Sequence, residues 1–227
     1  TWSISREDQD QLAFESQKNA ARAYKEGWYD DLVVEFKGKK QDGILRETSL
    51  DKLAKLKPAF DKTSGKGTIT AANATALTDG ASCVFLCSEE YAQENNLTPL
   101  AYLSFAQSAA VNYVDEEGLL MAPAYAVPKM LKKSGYKLQD FDFYEIHEAF
   151  AAQVLCTLEA WKSEDFCQKK LGLDSALGEI DRSKLNVKGG SLALGHPFAA
   201  TGGRIVTSLA KLLHEKGSGK GLISICT

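Results

Sequence analysis

Three residues of this sequence have side chains that do chemistry and positions where chemistry tends to gather. His147 follows an apolar run, Phe141 to Ile146, and opens a helical segment. His196 sits in the turn Gly195-His196-Pro197, behind Gly189-Gly190-Ser191 and ahead of Ala199-Ala200-Thr201-Gly202-Gly203. Cys226 ends the last apolar run, which starts at Gly221. Strand ends and helix N-termini converge on the active sites of α/β folds. Two imidazoles and a thiol at such points would support thiol–imidazole chemistry, because an imidazole or a helix N-terminus brings a cysteine into a useful pKa range. The competing reading is two satisfied structural histidines and a core thiol. Spacing leaves both open.

Other local patterns fail on their neighbours. A phosphate loop ending in Gly219-Lys220 would need glycine where His214 stands and Ser or Thr where Gly221 stands. Gly65-Lys66-Gly67 fails in the same way, with Phe60 and Gly67 in those places. His147-Glu148 begins like the H-E-x-x-H zinc motif, but Ala151 occupies the second histidine position. Ser191 lacks the G-x-S-x-G frame of a nucleophile elbow. No metal site is expected.

The elements that must position these residues read as follows. Ser5 with Asp8 is a variant capping box ahead of a helix carrying Leu12, Ala13, Ser16, Ala20, Ala23 and Tyr24 on one face, closed by Gly27. Residues 28–67 read as irregular and basic, with nine Lys or Arg against four Asp or Glu between Lys37 and Gly67. That local excess is either a solvated loop face or a patch that meets phosphates. Thr68-Ile69-Thr70 reads as extended, Thr78-Asp79-Gly80 as a turn, and Ala81 to Cys87 as a buried strand. A helix over 88–95, an apolar run over 100–105, a helix over 126–134, a strand over 141–146 and a helix over 149–161 follow. Residues 162–185 read as a polar insertion. A helix over 200–213 and a strand over 221–226 complete an alternation typical of an α/β layer.

Composition sets the outer bounds. With 227 residues, 44% hydrophobic and 25% charged, the chain is ordinary globular protein and long enough for a large core. A net charge of −3 gives no reason to expect nucleic-acid binding. No run of about 18 apolar residues is present to span a membrane, and no basic-then-apolar secretory signal opens the chain. The five cysteines, without C-x-x-C spacing, read as free thiols in a reducing compartment. Asn73-Ala74-Thr75 and Asn96-Leu97-Thr98 then count for little as glycosylation sites. The chain opens on Thr1 and stops at Thr227 directly after an apolar run, so both ends read as cut.

The segment Asn186-Val187-Lys188-Gly189-Gly190-Ser191-Leu192-Ala193-Leu194-Gly195-His196-Pro197-Phe198-Ala199-Ala200-Thr201-Gly202 closely resembles the N-x-x-G-G-x-x-x-x-G-H-P-x-x-x-[ST]-G signature of the thiolases. Leu53 to Phe60, Thr70 to Ala81 and His147-Glu148-Ala149-Phe150 resemble three further thiolase segments, in the family's order. His147-Glu148-Ala149-Phe150 is similar to the fatty-acid-oxidation branch, the thiolase subunits of trifunctional complexes, where biosynthetic enzymes carry Asn in place of the histidine. The resemblance implies an α/β thiolase-like fold of αβαβα layers. On that template residues 1–78 are the rear part of the loop domain, 79–98 the last strand and helix of the N-terminal half, and 99–227 a truncated C-terminal domain.

It also implies a reaction: cleavage of 3-oxoacyl-CoA by CoA to acetyl-CoA and a shortened acyl-CoA. His196 would activate the nucleophilic cysteine and donate to one oxyanion. His147, with a water, would serve in the place of the family's Asn. Cys226 would be the acid/base cysteine. Thr75 stands where many thiolases place a pantetheine-contacting Ser. Arg46 and Lys52 would meet the CoA phosphates, and Met121 and Phe150 would line an apolar substrate pocket, the alternatives being surface charge and ordinary core. The nucleophilic cysteine belongs to the family's N-terminal half and is neither Cys83 nor Cys87, so this chain alone is expected to be inactive.

Coenzyme A enters as substrate, and no cofactor is expected. Partners implied are acyl-CoA and CoA, a second copy or larger assembly, and a hydratase/dehydrogenase subunit; bacterial cytoplasm or the mitochondrial matrix would house it. Three alternatives stand beside this reading: a non-catalytic CoA-binding scaffold of the same fold, a biosynthetic acetoacetyl-CoA-forming thiolase, and a condensing enzyme of the ketoacyl-synthase kind, which usually carries His where Cys226 stands.

Overall fold

A computed structural model describes residues 2–226. The first long element, α1 (Arg6–Lys25), begins where its cap predicts: the Ser5 hydroxyl accepts from the Asp8 N–H at 3.0 Å. The Asp8 carboxylate returns to the Ser5 hydroxyl at 2.9 Å rather than to its backbone, so the box closes through side chains. Leu12, Ala13, Ser16, Ala20 and Ala23 form the buried stripe of α1 at helical spacing. Gly27, at φ 71°, then turns the chain into Trp28 and Tyr29, which bury against the helix's last turns.

The basic stretch that follows contains one short helix, α2 (Leu50–Ala54), which docks through Leu53. Arg6 fastens it, donating to the carbonyl oxygens of Leu53 (2.8 Å) and Leu56 (3.1 Å). Helix α3 (Glu89–Glu94) forms behind its Ser88 cap, as expected.

Residues 81–87 do not form the expected buried strand. They are assigned to no strand, and Phe85 and Leu86 are exposed. An apolar run becomes a strand only where a neighbouring backbone completes its ladder, and the described residues offer none. Thr68-Ile69-Thr70 contributes a single bridge, Thr70 to Pro58. The run over 100–105 is likewise without strand pairing and has Tyr102 and Leu103 exposed.

From residue 123 onward the alternation expected of the C-terminal part appears. Helix α4 (Pro123–Ser134) starts on a proline, whose missing N–H is harmless there, and ends on Gly135 in the left-handed conformation. Strand β1 (Phe143–Ile146) leads to α5 (Ala151–Lys162) and α6 (Glu164–Lys169). A single 3₁₀ turn (Arg182–Lys184), the short α7 (Ser191–Leu194), the long α8 (Thr201–Lys216) and strand β2 (Gly221–Ser224) complete the chain. The two strands pair in parallel, Phe143 opposite Gly221 through Ile146 opposite Ser224. A parallel pair needs a long crossover, and residues 147–220 supply it. Helix α8 packs back on the pair, with Leu209 filling the space that Gly221 leaves by having no side chain.

Residues 162–185 are a correction to the sequence reading. Phe166 and Cys167 of α6 are buried, and Ile180 and Leu185 belong to the main core with Leu12, Val127, Leu131, Tyr144, Val154, Leu158, Trp161 and Leu222. Their spacing in a charged segment hid them, because four apolar side chains on loops and a short helix carry no periodic signal. Each large aliphatic side chain buried there contributes about 1.5–3 kcal/mol.

Candidate active site

The C-terminal ends of β1 and β2 deliver two of the three chemistry-bearing residues. The His147 N–H donates to the Ser224 carbonyl at 2.9 Å, which carries the strand pairing one residue past β1. His147 is buried. Cys226 lies two residues beyond Ser224 and is buried too; its thiol donates to Gln153 Oε1 on α5 at 3.4 Å. Burial pushes that thiol up to about 11, so it is protonated at neutral pH.

A buried polar lattice fixes the end of β1. Asn186, held at φ 45°, accepts from the Ile146 N–H (2.9 Å) and donates to the Ile146 carbonyl (2.9 Å), acting as one more rung beside the strand. It also donates to Glu148 Oε1 at 2.6 Å. The other oxygen of Glu148 accepts from the Ser16 hydroxyl (2.7 Å) and the Leu192 N–H (3.1 Å), while Ser16 accepts from the Gly190 N–H (3.0 Å). One carboxyl group thus ties α1, α7 and the Asn186 loop together behind His147. Gly190 permits this approach, since a methyl there would overlap the Glu148 carboxyl.

His196 arrives from the opposite side on its glycine turn. Gly195 stands at φ 83° with the Thr78 side chain against it, and the His196 N–H donates to the Ala76 carbonyl at 3.0 Å. The imidazoles of His147 and His196 meet with centroids 4.3 Å apart and planes inclined by 49°. Phe198 covers the outer side of His196 at 4.7 Å while remaining largely exposed itself. His196 Nδ1 lies 2.7 Å from Thr201 Oγ1, in the first turn of α8.

Both imidazoles are neutral at physiological pH. Burial, then the neighbouring His196 and the Arg204 guanidinium, pull His147 down to about 3. Burial and Arg204 lower His196 as well. Arg204, on α8, donates through Nη2 to Ser191 Oγ at 2.9 Å, and the same oxygen lies 2.8 Å from His147 Nδ1. Burial raises Glu145 to about 8 against the opposing pull of Arg204, so a largely neutral acid sits beneath the site. The site can therefore offer two neutral imidazoles and a protonated thiol, which can donate, accept or move protons with no net charge of their own.

Comparison with known proteins decides the family. The thiolase C-terminal domain model matches residues 97–227 and the thiolase N-terminal domain model residues 1–90. The chain belongs to the thiolase family. The 3-ketoacyl-CoA thiolases of Yersinia pestis (strain Pestoides F) and Yersinia pseudotuberculosis serotype O:1b are each 44% identical to it over 234 residues, covering 100% of this chain and 52% of theirs. Among solved structures, the Bacillus anthracis acetyl-CoA acetyltransferase superposes with a TM-score of 0.78 at 36% identity, over 100% of this chain and 54% of that one. Human mitochondrial 3-ketoacyl-CoA thiolase in complex with CoA superposes at 0.77 with 32% identity, over 98% of this chain and 52% of that one. The chain thus has the α/β thiolase fold and spans about half the length of the curated relatives it matches.

Other positions expected from the thiolase resemblance are scattered to different degrees. Thr75 reaches the site: its backbone N–H donates to the Ala149 carbonyl (3.0 Å) and its hydroxyl to the Ser191 carbonyl (2.6 Å). Phe150 is half-buried, edge-on to the exposed Phe60 at 5.9 Å, on the residue next to the Ala149 contact. Met121 lies apart, buried with Ala124, Ala160 and Phe166 in a small cluster that includes neither histidine nor Cys226. Arg46 and Lys52 are exposed on the basic stretch. Among the described residues no group of three metal-ligating side chains gathers, and no helix is long and apolar enough to cross a membrane.

Four residues of this candidate site escaped sequence reasoning. Gln153 looked like any helix surface residue, yet it faces Cys226. Phe198, inside the glycine-rich signature, caps His196. Ser191, set aside as a nucleophile, is a hydrogen-bond partner of His147. Nothing in the sequence around Arg204 distinguishes it from a solvated helix arginine.

Proposed function

We propose that the protein is a 3-oxoacyl-CoA thiolase of fatty-acid β-oxidation, cleaving 3-oxoacyl-CoA with CoA to acetyl-CoA and a shortened acyl-CoA. The observation that carries the reading is the pair of neutral imidazoles in ring contact at the end of a strand whose neighbour is followed, two residues on, by a buried, protonated thiol. The 44% identity to proteins named 3-ketoacyl-CoA thiolase supports the substrate class.

In this reading a cysteine thiolate attacks the 3-oxo carbon, the C2–C3 bond breaks, and the electron pair goes to the acetyl-CoA enolate. Cys226 gives that enolate its proton. The thiol is protonated at neutral pH, as a group that must give a proton requires, and is a far stronger acid than a thioester α-carbon. His196 activates the acyl-accepting cysteine and donates to the enolate oxygen, and His147 supplies a second donor through a water. Each such preorganised donor is worth about 3 kcal/mol in a dry site. CoA then releases the acyl group by attack on the thioester.

Among the described residues neither imidazole is hydrogen-bonded to a thiol. Cys83 and Cys87 are exposed, Cys156 packs in the Met121 cluster, and Cys167 donates to the carbonyls of Ala160 and Trp161. None of these is proposed as the acyl-accepting thiol. Thr75, Arg46 and Lys52 are proposed CoA contacts, and Phe150 and Met121 apolar pocket positions. CoA acts as substrate with no further cofactor, in a homo-oligomer that associates with a hydratase/dehydrogenase subunit, in bacterial cytoplasm or the mitochondrial matrix. Residues 1–78, 79–98 and 99–227 are proposed as loop domain, end of the N-terminal half and C-terminal domain.

The test is CoA-dependent cleavage of 3-oxoacyl-CoA substrates by the full-length protein, with acetyl-CoA and the shortened acyl-CoA quantified. Stoichiometric formation of both supports the reading. CoA binding without cleavage would replace it with the scaffold reading.

A further inference from the structure

His147 is neutral and so carries one ring proton, and the side chains behind it decide which nitrogen holds that proton. Arg204 Nη2 donates to Ser191 Oγ at 2.9 Å. A guanidinium accepts nothing, so this bond occupies a lone pair of the hydroxyl and leaves its proton for another partner. The remaining hydrogen bond of Ser191 Oγ is to His147 Nδ1, at 2.8 Å. Ser191 is fully buried. If Nδ1 carried the imidazole proton, the serine oxygen would receive two donors and its own O–H would be left buried with no acceptor, an arrangement native interiors avoid. If Nδ1 is bare, each proton has a place: the guanidinium gives to the serine and the serine gives to the imidazole.

We infer that Arg204 and Ser191 are positioning residues that hold His147 as its Nε2–H tautomer, turning a histidine at the end of β1 into a fixed hydrogen-bond donor. His147 Nε2 is buried and has no partner among the described residues. In a packed interior an N–H without an acceptor marks either strain or a place where an acceptor arrives. In the proposed site that acceptor is the water or substrate oxygen at which negative charge develops. This use of the N–H rests on the thiolase reading, whereas the tautomer rests only on the Arg204–Ser191–His147 chain. The relay also accounts for the hydroxyl on the residue after Gly190 and for an arginine on α8 whose guanidinium points into the protein; its Nε and Nη1 are buried with no partner among the described residues. Its charge works in the same sense, because a guanidinium nearby disfavours a second proton on the ring.

The test is the ring nitrogen spectrum of His147 at neutral pH, read by long-range ¹H–¹⁵N correlation in histidine-labelled full-length protein and assigned by the loss of signals in His147→Asn. The expected result is an unprotonated Nδ1 and a protonated Nε2. Ser191→Ala should shift the signal toward the other tautomer and lower kcat by tenfold or more with little change in KM, and Ser191→Thr, which keeps the hydroxyl, should restore both. Arg204→Met should also disturb the tautomer; if it fails to fold, the serine variants carry the test. A protonated Nδ1 in the wild-type protein would overturn the inference, as would an unchanged tautomer in folded Ser191→Ala. Because the spectrum needs no turnover, a wild-type protein that shows the Nε2–H form but no thiolysis would overturn the proposed function alone.

Discussion

His147 and His196, 49 residues apart in the chain, stand ring to ring with 4.3 Å between centroids, one fully buried and one half-buried. Burial is the main reason both rings are held below the ordinary imidazole pKa; the Arg204 guanidinium adds to it for both, and the neighbouring His196 adds to it for His147. Neutral rings in contact divide the donor and acceptor work that one histidine would otherwise have to do alone.

Replacing either ring should separate these tasks. His196→Ala is expected to lower kcat for thiolysis by at least about 10²–10³ for the lost preorganised donor, with the loss of the base adding to it. His147→Ala should cost a similar factor, whereas His147→Asn retains an N–H donor and should keep activity within about tenfold of wild type. Steady-state kinetics on the three variants decide it. Equal losses in His147→Ala and His147→Asn would mean the ring does something other than donate.

Alkylation should order the thiols by exposure and acidity. Cys83 and Cys87 are exposed, while Cys226 is buried with its pKa pushed to about 11. At pH 7 only about one part in 10⁴ of such a group is thiolate. Iodoacetamide at pH 7 is expected to modify Cys83 and Cys87 at least about a hundredfold faster than Cys226, as peptide mass mapping would reveal. The Cys226 rate should rise about tenfold per pH unit up to its pKa. Labelling of Cys226 as fast as Cys83 at neutral pH would contradict both its burial and its proposed role as acid.

Two buried groups give stability opposite pH dependences. Glu145 has its pKa raised from 4.5 to about 8, so the folded state holds a proton that the unfolded chain releases. Its contribution is complete below pH 4.5 and is lost as pH rises toward 8. His147 is lowered from 6.5 to about 3, so its contribution is complete above 6.5 and is lost as pH falls toward 3. Between 4.5 and 6.5 the two slopes cancel, and stability from this pair falls on either side. Glu145→Gln should remove the Glu145 part of the alkaline limb, a slope of up to about 1.4 kcal/mol per pH unit, and leave the part that belongs to Glu148, whose carboxyl burial also raises. Denaturation midpoints of wild type and variant between pH 5 and 9 would test this, and a variant with the wild-type alkaline slope would reassign it.

Two glycines with left-handed backbone, Gly189 packed against α1 and Gly172 in the open, should differ in tolerance. Gly189 stands at φ 90°, and a methyl there would meet Ala20 Cβ at 2.5 Å. Gly189→Ala is expected to destabilise by about 2–6 kcal/mol, adding backbone strain to overpacking. Gly172 has φ 65° and open space around it, so Gly172→Ala should cost only about 1–2 kcal/mol of strain. Equilibrium unfolding of the two variants makes the comparison, and equal costs would show that contact with α1 is unimportant.

Much of this architecture is legible in the chain itself. Helix α1 follows from Ser5, the stripe Leu12 to Ala23 and Gly27, all within one element. His147, His196 and Cys226 announce themselves by ending apolar runs or entering helices, and the family signature spans Asn186 to Gly202. Capping, periodicity and turn chemistry act over a few residues, so a linear reading recovers them. The same reading made a strand of residues 81–87 and an insertion of 162–185, because a strand needs a neighbour and a core needs a face, and neither is local.

What the tertiary structure alone decided is which side chains meet. Ser16 reaches Glu148 across 132 residues, Arg204 on α8 reaches Ser191 on α7, and Gln153 on α5 receives the Cys226 thiol. A hydrogen bond is formed or lost within a few tenths of an ångström, and that distance is set by the register of β1 against β2 and by how α8 packs back on them. The residue types of the site belong to the sequence. Their protonation states, and the donor or acceptor role each plays, come from burial and from partners that only the folded chain brings within reach.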